Sequence, residues 1–192
     1  MSSSNEAVGA APYEGSRSVE TAAPPDGLIV LVGMPGSGKS TVGAALAARL
    51  GAPFQDVDAV IAERVGKPVA EIFADDGEAV FRAFEEATTT ELLASAGVLA
   101  LGGGAVMSAS IRAALRGHRV VWLRVGLPQA VKRIGLDTAR PLLLGNVRGR
   151  LLALMNQRAP LYADVATELI DTDDLTPDET AEKILATGLV RG

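Results

Sequence analysis

Residues 33–41 of this 192-residue chain form a glycine-rich signature, Gly-Met-Pro-Gly-Ser-Gly-Lys-Ser-Thr, which fits the pattern G-x-x-x-x-G-K-[ST]. The continuous apolar run Leu28–Val32 precedes it and is typical of a strand buried on both faces of a parallel sheet. Apolar residues at helical spacing follow over Lys39–Leu50, and Gly51 is a stop signal. The sequence therefore predicts a strand, a phosphate-binding loop and a helix, in that order.

The residues of this loop are expected to hold the phosphates of ATP. Glycines let backbone N–H groups converge on a phosphate, and the N-terminus of the following helix adds the positive end of its dipole. Lys39 is expected to reach the β- and γ-phosphates, and the Ser40 hydroxyl to bind Mg²⁺. The ATP-binding residues predicted in the loop are Gly36, Ser37, Gly38, Lys39, Ser40 and Thr41.

An ATP-binding loop has two alternatives, an incidental glycine-rich turn and the loop of a regulatory GTPase. An incidental glycine-rich turn does not explain the complete motif together with its flanks. A regulatory GTPase would carry an Asn-Lys-x-Asp motif later in the chain, and the sequence has none. No later apolar strand ends in an obvious Walker B aspartate, so Asp56 is the predicted substitute, acting on Mg²⁺ through a bound water.

Apolar runs alternate with helical stretches along the rest of the chain. Further strands are predicted at residues 54–57, 98–101, 120–125 and 168–171. This alternation predicts an α/β fold, a three-layer sandwich with a five-stranded parallel sheet. With the loop signature, it indicates a P-loop NTPase fold of the nucleoside monophosphate kinase type.

The length suits one folded domain with a tail. Residues 1–26 are rich in Ser, Ala, Gly, Pro and Glu and predict a disordered N-terminal tail, which leaves residues 27–192 as a P-loop kinase domain. Within this domain, residues 133–150 contain several glycines and a proline, which favours a mobile lid over a strand.

Composition excludes several classes of function. The net charge of -5 argues against a nucleic-acid or membrane-surface binder, and no apolar stretch approaches the roughly 18 residues of a membrane span. There is no cysteine and a single histidine, His118, so acid-base chemistry is left to carboxylates. No secretory signal is recognised, so a cytoplasmic location is expected. A monomer without nucleic-acid or membrane partners is also expected.

Asp56 and Asp58 lie two residues apart at the end of the second predicted strand, so alternation places them on the same side of the chain. One carboxylate can support the metal while the other holds and deprotonates an acceptor hydroxyl. A purely structural interpretation is that Asp58 caps a helix beginning near Ala59. Capping and catalysis are compatible with each other.

Five segments follow the loop in a fixed order. They are Asp-Val-Asp at 56–58, Gly-Glu-Ala-Val-Phe-Arg at 77–82 with Glu85, Gly-Gly-Gly-Ala-Val at 102–106, Arg-Pro-Leu-Leu at 140–143, and Arg-Ala-Pro-Leu-Tyr at 158–162. Each of these motifs is weak alone, but the ordered set resembles the shikimate kinase family. The resemblance covers the chain from about residue 27 to residue 171.

This resemblance implies roles for residues of the acceptor site, which is expected within the region 58–94 and around Gly103. Asp58 would contact the acceptor hydroxyls, Gly103 would line the pocket through its backbone, and Arg82 and Arg158 would bind the carboxylate of shikimate. Two arginine forks suit a small rigid acid, because each pairs with a carboxylate through parallel hydrogen bonds. For either arginine alone, a surface ion pair is the simpler interpretation.

Three further residues receive roles around the acceptor and the nucleotide. Arg140 is implied to swing over the γ-phosphate when the lid closes, and closure would also exclude water. Arg133 matches a family position near the adenine, although a solvated helix charge is an equal alternative. Glu85, three residues after Arg82 on a predicted helix, can hold that guanidinium in place.

The resemblance implies an ATP-dependent shikimate kinase that uses Mg²⁺ and converts the shikimate 3-hydroxyl to shikimate 3-phosphate on the route to aromatic amino acids. Its catalytic residues would be Asp58, Lys39 and Arg140. A gluconate-type P-loop kinase is the nearest enzymatic alternative, and a nucleoside monophosphate kinase, which would phosphorylate an acceptor such as AMP, is a less favoured one. A noncatalytic ATP-binding regulatory domain is an alternative from another class.

Overall fold

The computed structural model of the chain describes residues 27–134 and 141–188. The predicted tail, residues 1–26, lies outside the described residues. The strands are β1 Leu28–Val32, β2 Phe54–Asp56, β3 Gly97–Ala100, β4 Arg119–Arg124 and β5 Glu168–Asp171. The helices are α1 Lys39–Leu50, α2 Val57–Val65, α3 Val69–Asp75, α4 Glu78–Leu92, α5 Ala109–Ala114, α6 Leu127–Arg133, α7 Pro141–Val165 and α8 Pro177–Gly188, with a short 3₁₀ helix at Ala105–Met107.

The five strands form one parallel sheet in the order β2-β3-β1-β4-β5. Strand β1 lies at the centre, where Val30 is in register with Leu99 of β3 and with Val120 of β4. The predicted five-stranded parallel sheet is confirmed. Because all strands run the same way, the loops that follow β1, β2 and β3 meet at one edge of the sheet.

Two apolar cores cover the two faces of the sheet. Leu28 and Val30 of β1 belong to a core that also includes residues of α2, α4, α5, α6 and α7. Ile29 and Leu31 belong to a second core with residues of α1 and α8. Alternate residues of β1 are therefore buried on opposite faces, which explains why its sequence is continuously apolar. The predicted three-layer arrangement is confirmed.

The second strand is shorter than predicted. It ends at Asp56, and Val57 already begins helix α2. Asp56 is the N-cap of this helix, because its side chain accepts a hydrogen bond from the backbone N–H of Asp58. The interpretation of Asp58 as the cap is therefore wrong, and capping belongs to the residue two positions earlier.

The predicted lid, residues 133–150, overlaps two helices. Arg133 is the last residue of α6, and α7 begins at Pro141, so residues 141–150 are helical. Proline suits the first position of a helix, since the N–H that it lacks would have no partner inside the helix there. Residues 135–140 lie outside the described residues. Across the described parts of the chain, no helix is both long and apolar enough to cross a membrane.

Candidate active site

The loop between β1 and α1 has the backbone conformation that its glycines allow. Gly36 and Gly38 have φ angles of 80° and 92°, in the left-handed region that residues with a Cβ seldom adopt. Gly38 is the N-cap of α1, and its carbonyl accepts a hydrogen bond of 3.0 Å from the Thr41 hydroxyl. The loop amides and the positive end of the α1 dipole therefore lie together, as an anion site requires.

Lys39 folds back over this loop. Its ammonium donates to the carbonyl oxygens of Gly33 at 2.9 Å and Met34 at 3.1 Å. Burial lowers the pKa of Lys39 to about 8, while Asp58 and Asp56 act in the opposite direction. The cation thus lies close to both carboxylates as well as to the loop.

Ser40 and Asp56 are in direct contact. The Ser40 hydroxyl donates to Oδ2 of Asp56 at 2.6 Å, and Oδ1 of Asp56 accepts the Asp58 N–H at 3.1 Å. Hydroxyl and carboxylate oxygens are the hard ligands that Mg²⁺ prefers, usually with several ligands left to water and phosphate. No cluster of three or more His, Cys, Asp or Glu suited to a metal occurs among the described residues. Ser40 and Asp56 are thus the candidate ligands that this contact brings together.

Asp58 extends its carboxylate towards the glycine segment that follows β3. A Cβ added to Gly102 would lie 2.7 Å from Oδ1 of Asp58 and 2.4 Å from Oε1 of Glu85, so only glycine admits both oxygens. Both oxygens are buried and have no hydrogen-bond partner within the protein. Burial raises the pKa of Asp58, and Asp56 adds to the rise, whereas Lys39 and Arg82 oppose it.

Arg82 on α4 lies on the other side of Glu85. Its Nη1 donates to Oε2 of Glu85 at 2.5 Å, and its Nη2 donates to Oε1 of Glu78 at 3.2 Å. The predicted contact between Glu85 and Arg82 is therefore present. A Cβ added to Gly104 would lie 2.5 Å from both terminal nitrogens of Arg82, so the guanidinium adjoins the glycine segment. Burial raises the pKa of Glu85, whereas the hydrogen bond and the charge of Arg82 act to lower it.

Arg158 reaches the same segment from α7. Its Nη1 donates to the Gly103 carbonyl at 3.0 Å, and its Nε is buried without a partner in the protein. Its charge also lowers the pKa of Lys39, which places the guanidinium near the loop cation. Arg82 and Arg158 thus approach residues 103 and 104 from two different helices.

Arg133 lies on the opposite side of the phosphate loop. Its guanidinium donates to the backbone carbonyl of Thr172, to the Thr172 hydroxyl at 3.0 Å and to the Gly36 carbonyl at 3.3 Å. The buried Thr172 hydroxyl lies 3.3 Å from the Ser37 carbonyl oxygen and 3.0 Å from the Arg124 carbonyl oxygen, either of which can accept its single proton. These contacts join the turn after β5 to the loop. Arg133 is nevertheless exposed, so its position is compatible with both predicted alternatives, a solvated helix charge and a contact near the adenine.

One cleft of about 530 Å³ runs along the carboxyl edge of the sheet. It brings together the loop residues 36–41, Asp56, Asp58, Gly103 and Arg133. Arg82 and Arg158 do not line the cleft itself, but both adjoin the glycine segment that does. Arg140, the third predicted catalytic residue, lies outside the described residues.

The sequence analysis assigns no role to two residues of this site, Thr172 and Tyr162. Thr172 ties Arg133 to the loop, and nothing local in its acidic turn indicates this contact. Tyr162 donates its hydroxyl to the Gly103 carbonyl at 2.6 Å. The signal for Tyr162 was present, because it follows Arg158 by four residues and so shares a helix face with it.

A parallel α/β sheet with an ATP-type phosphate loop after its central strand, and with carboxylates across the same cleft, defines a P-loop kinase. A family model described as shikimate kinase matches residues 35–188. The chain belongs to the shikimate kinase family. It is 56% identical over 158 residues to the shikimate kinase of Thermobifida fusca (strain YX). The aligned region covers 82% of this chain and 92% of that relative.

Solved structures agree with the sequence comparison. A shikimate kinase from Acinetobacter baumannii in complex with shikimate has a TM-score of 0.79 and 37% identity, covering 89% of this chain and 96% of that one. A gluconokinase from Sinorhizobium meliloti 1021 is less similar, with a TM-score of 0.52, 25% identity, and coverage of 86% and 92%. The comparisons therefore favour a shikimate kinase over the gluconate-type alternative.

Proposed function

We propose that this kinase transfers the γ-phosphate of ATP to the 3-hydroxyl of shikimate, with Asp58 as the base. The observation that carries the proposal is the position of Asp58. Its carboxylate lies in the wall of the cleft that also holds Lys39 and the phosphate loop, and two arginines adjoin the neighbouring glycine segment. This arrangement supports a base, a phosphate site and a carboxylate site that would act on one small molecule.

The nucleotide half of the proposal rests on the loop. The amides of residues 36–41 and the start of α1 would hold the β- and γ-phosphates, and Lys39 would neutralise charge on the transferring oxygens. Ser40 would hold Mg²⁺ directly and Asp56 through water, and the ion would supply further charge neutralisation at the phosphates. Arg133 lines the same cleft and would contact the adenine side of ATP.

In the acceptor half, Arg82 and Arg158 would hold the shikimate carboxylate and so orient the ring. Asp58 would accept the proton of the 3-hydroxyl as that oxygen attacks the γ-phosphorus in line. The bond between the γ-phosphorus and the β,γ-bridging oxygen breaks, and ADP leaves with that oxygen. Products are shikimate 3-phosphate, ADP and one proton.

Arg140 completes the proposed set on sequence grounds alone. A cation that arrives with a closing segment would stabilise charge on the transferring phosphoryl group and help to exclude water. The division into a tail, a substrate region and a lid also stays a prediction, as do the monomeric state and the cytoplasmic location.

The test is an ADP-release assay with MgATP and three acceptors in parallel: shikimate, gluconate and AMP. We expect turnover with shikimate alone, with ³¹P NMR identifying a phosphate monoester at the 3-position. Lys39→Ala is the matched control and should abolish transfer while the far-UV circular dichroism spectrum is unchanged. Turnover with gluconate in place of shikimate, or with none of the three acceptors, would overturn the proposal.

A further inference from the structure

Tyr162 is a buried side chain beside the acceptor site that the proposed mechanism does not use. It is 1% exposed and lies on α7, four residues after Arg158. Residues four apart on a helix share one face, so both side chains approach the sheet edge together.

The hydroxyl and Arg158 bind the same atom. The Tyr162 hydroxyl donates to the Gly103 carbonyl oxygen at 2.6 Å, and Nη1 of Arg158 donates to it at 3.0 Å. A carbonyl oxygen has two lone pairs, so it can accept both hydrogen bonds at once. The position of this one oxygen therefore helps to determine where the guanidinium lies.

The tyrosine is itself held on two further sides. Its ring stacks on Trp122 of β4, with ring centroids 5.7 Å apart, and its hydroxyl lies 3.7 Å from the sulfur of Met34 in the phosphate loop. Gly103 is confined as well, because a Cβ added there would lie 2.8 Å from Pro35. Tyr162 thus contacts the central sheet through Trp122 and the phosphate loop through Met34. Its hydroxyl also binds Gly103, to which Arg158 donates as well.

We propose that the Tyr162 hydroxyl is a positioning residue for the acceptor carboxylate: it holds the Gly103 carbonyl in the place where that carbonyl orients Arg158. This inference rests on the proposed function, since it assumes that Arg158 binds a carboxylate. Tyr162 acts through Arg158 and needs no contact with the acceptor. Fixing the fork before the acceptor arrives lowers the cost of ordering it on binding.

An acid-base role for this hydroxyl is excluded by its surroundings. Burial raises the pKa of Tyr162 to about 12, so the group stays protonated and donates its hydrogen bond at neutral pH. Its proton is directed at a backbone carbonyl, which cannot pass it on to a hydroxyl acceptor.

The test compares two acceptors in the Tyr162→Phe variant, which keeps the ring and removes only the hydroxyl. One acceptor is shikimate, and the other is the analogue in which a hydroxymethyl group replaces the carboxylate. We expect kcat/KM for shikimate to fall roughly fivefold, the usual effect of one neutral hydrogen bond. The value for the hydroxymethyl analogue should stay within about twofold, because Arg158 has no carboxylate to hold there.

A double-mutant cycle with Arg158→Lys provides the second measurement. If Tyr162 acts through the guanidinium, Tyr162→Phe should have little further effect on shikimate once Arg158 is replaced. Trp122→Phe is the matched control: it weakens the ring contact and should lower the melting temperature without changing the ratio of kcat/KM between the two acceptors.

Equal losses for both acceptors, or additive losses in the cycle, would overturn the positioning role. So would a Tyr162→Phe variant with the wild-type preference for the carboxylate. The wild-type protein is assayed with shikimate in the same series. If the wild-type protein fails to turn over shikimate, the proposed function itself is wrong. If the wild type is active and Tyr162→Phe behaves like it, only the positioning role is wrong.

Discussion

Replacing Asp58 by asparagine should separate its chemical role from a structural one. Asp56, and not Asp58, caps helix α2, so the substitution leaves the cap in place. Oδ1 of Asp58 has no hydrogen-bond partner within the protein, so an amide nitrogen placed at that position breaks no existing bond. Because burial raises the pKa of Asp58, the ionised side chain costs folding free energy at neutral pH. We therefore expect an unchanged or slightly higher melting temperature.

Turnover should respond very differently. An amide has no basic oxygen that can take the hydroxyl proton, and general-base catalysis typically contributes about 10²- to 10⁴-fold. At about 1.36 kcal/mol for each factor of ten, this corresponds to a barrier roughly 3–5 kcal/mol higher. ATP affinity should survive, because Lys39 and the loop amides are unchanged.

The assay is ADP release at saturating shikimate and MgATP, with nucleotide affinity measured separately by calorimetry. Asp56→Asn is the matched control. Asparagine also caps helices well, so this variant should fold and should show its defect mainly as a higher Mg²⁺ requirement. Near-normal turnover of Asp58→Asn at saturating shikimate would refute the base mechanism and leave Asp58 at most a binding residue.

Two further substitutions probe the acceptor site. Arg82→Lys should raise the KM for shikimate about tenfold or more, with little change in the KM for ATP, because an ammonium cannot reproduce a bidentate fork; equal changes in both constants would contradict an acceptor role. Glu85→Gln should raise the KM for shikimate by loosening Arg82. Since burial raises the pKa of Glu85, the folded protein holds its proton more tightly than the unfolded chain, and the ionised carboxylate destabilises the fold at neutral pH. The gain in melting temperature of the glutamine variant should therefore be largest near pH 7 and shrink as the pH falls through the folded pKa; a loss of stability at pH 7 would contradict this reasoning.

The elements that the sequence predicted best are those whose signal is local and strong. Leu28–Val32 and Lys39–Leu50 have the predicted bounds, because a fully buried central strand is continuously apolar and a left-handed glycine ends the helix. Strands β3 and β4 each begin one residue earlier than predicted, at Gly97 and Arg119. Strand β4 accommodates Arg119 because its guanidinium pairs with the carboxylate of Glu168 on the neighbouring strand at 2.9 Å. Glu168 lies 49 residues later in the sequence.

The predictions that failed depended on competition between local signals and packing. The alternation of apolar runs predicts a strand over 54–57, but Asp56 accepts a hydrogen bond from the Asp58 N–H and so caps a helix that begins at Val57, two residues before the expected start near Ala59. Gly145 and Gly149 favour a mobile lid over a strand within residues 133–150, and both lie in helix α7. Glycine costs a helix about 1 kcal/mol at most, which tertiary packing can outweigh.

The long-range geometry of the site lies beyond sequence patterns, and the buried polar atoms show why it matters. Most buried polar groups in a folded protein have a hydrogen-bond partner, and an unpartnered one costs free energy. Among the described residues, Asp58 Oδ1, Glu85 Oε1 and Arg158 Nε all lack one. The two carboxylate oxygens adjoin Gly102, and Arg158 binds the carbonyl of the next residue. Of these three residues, Asp58 lines the cleft, so in the proposed complex a hydroxyl of the acceptor would donate to its carboxylate and recover part of the free energy that burial costs there.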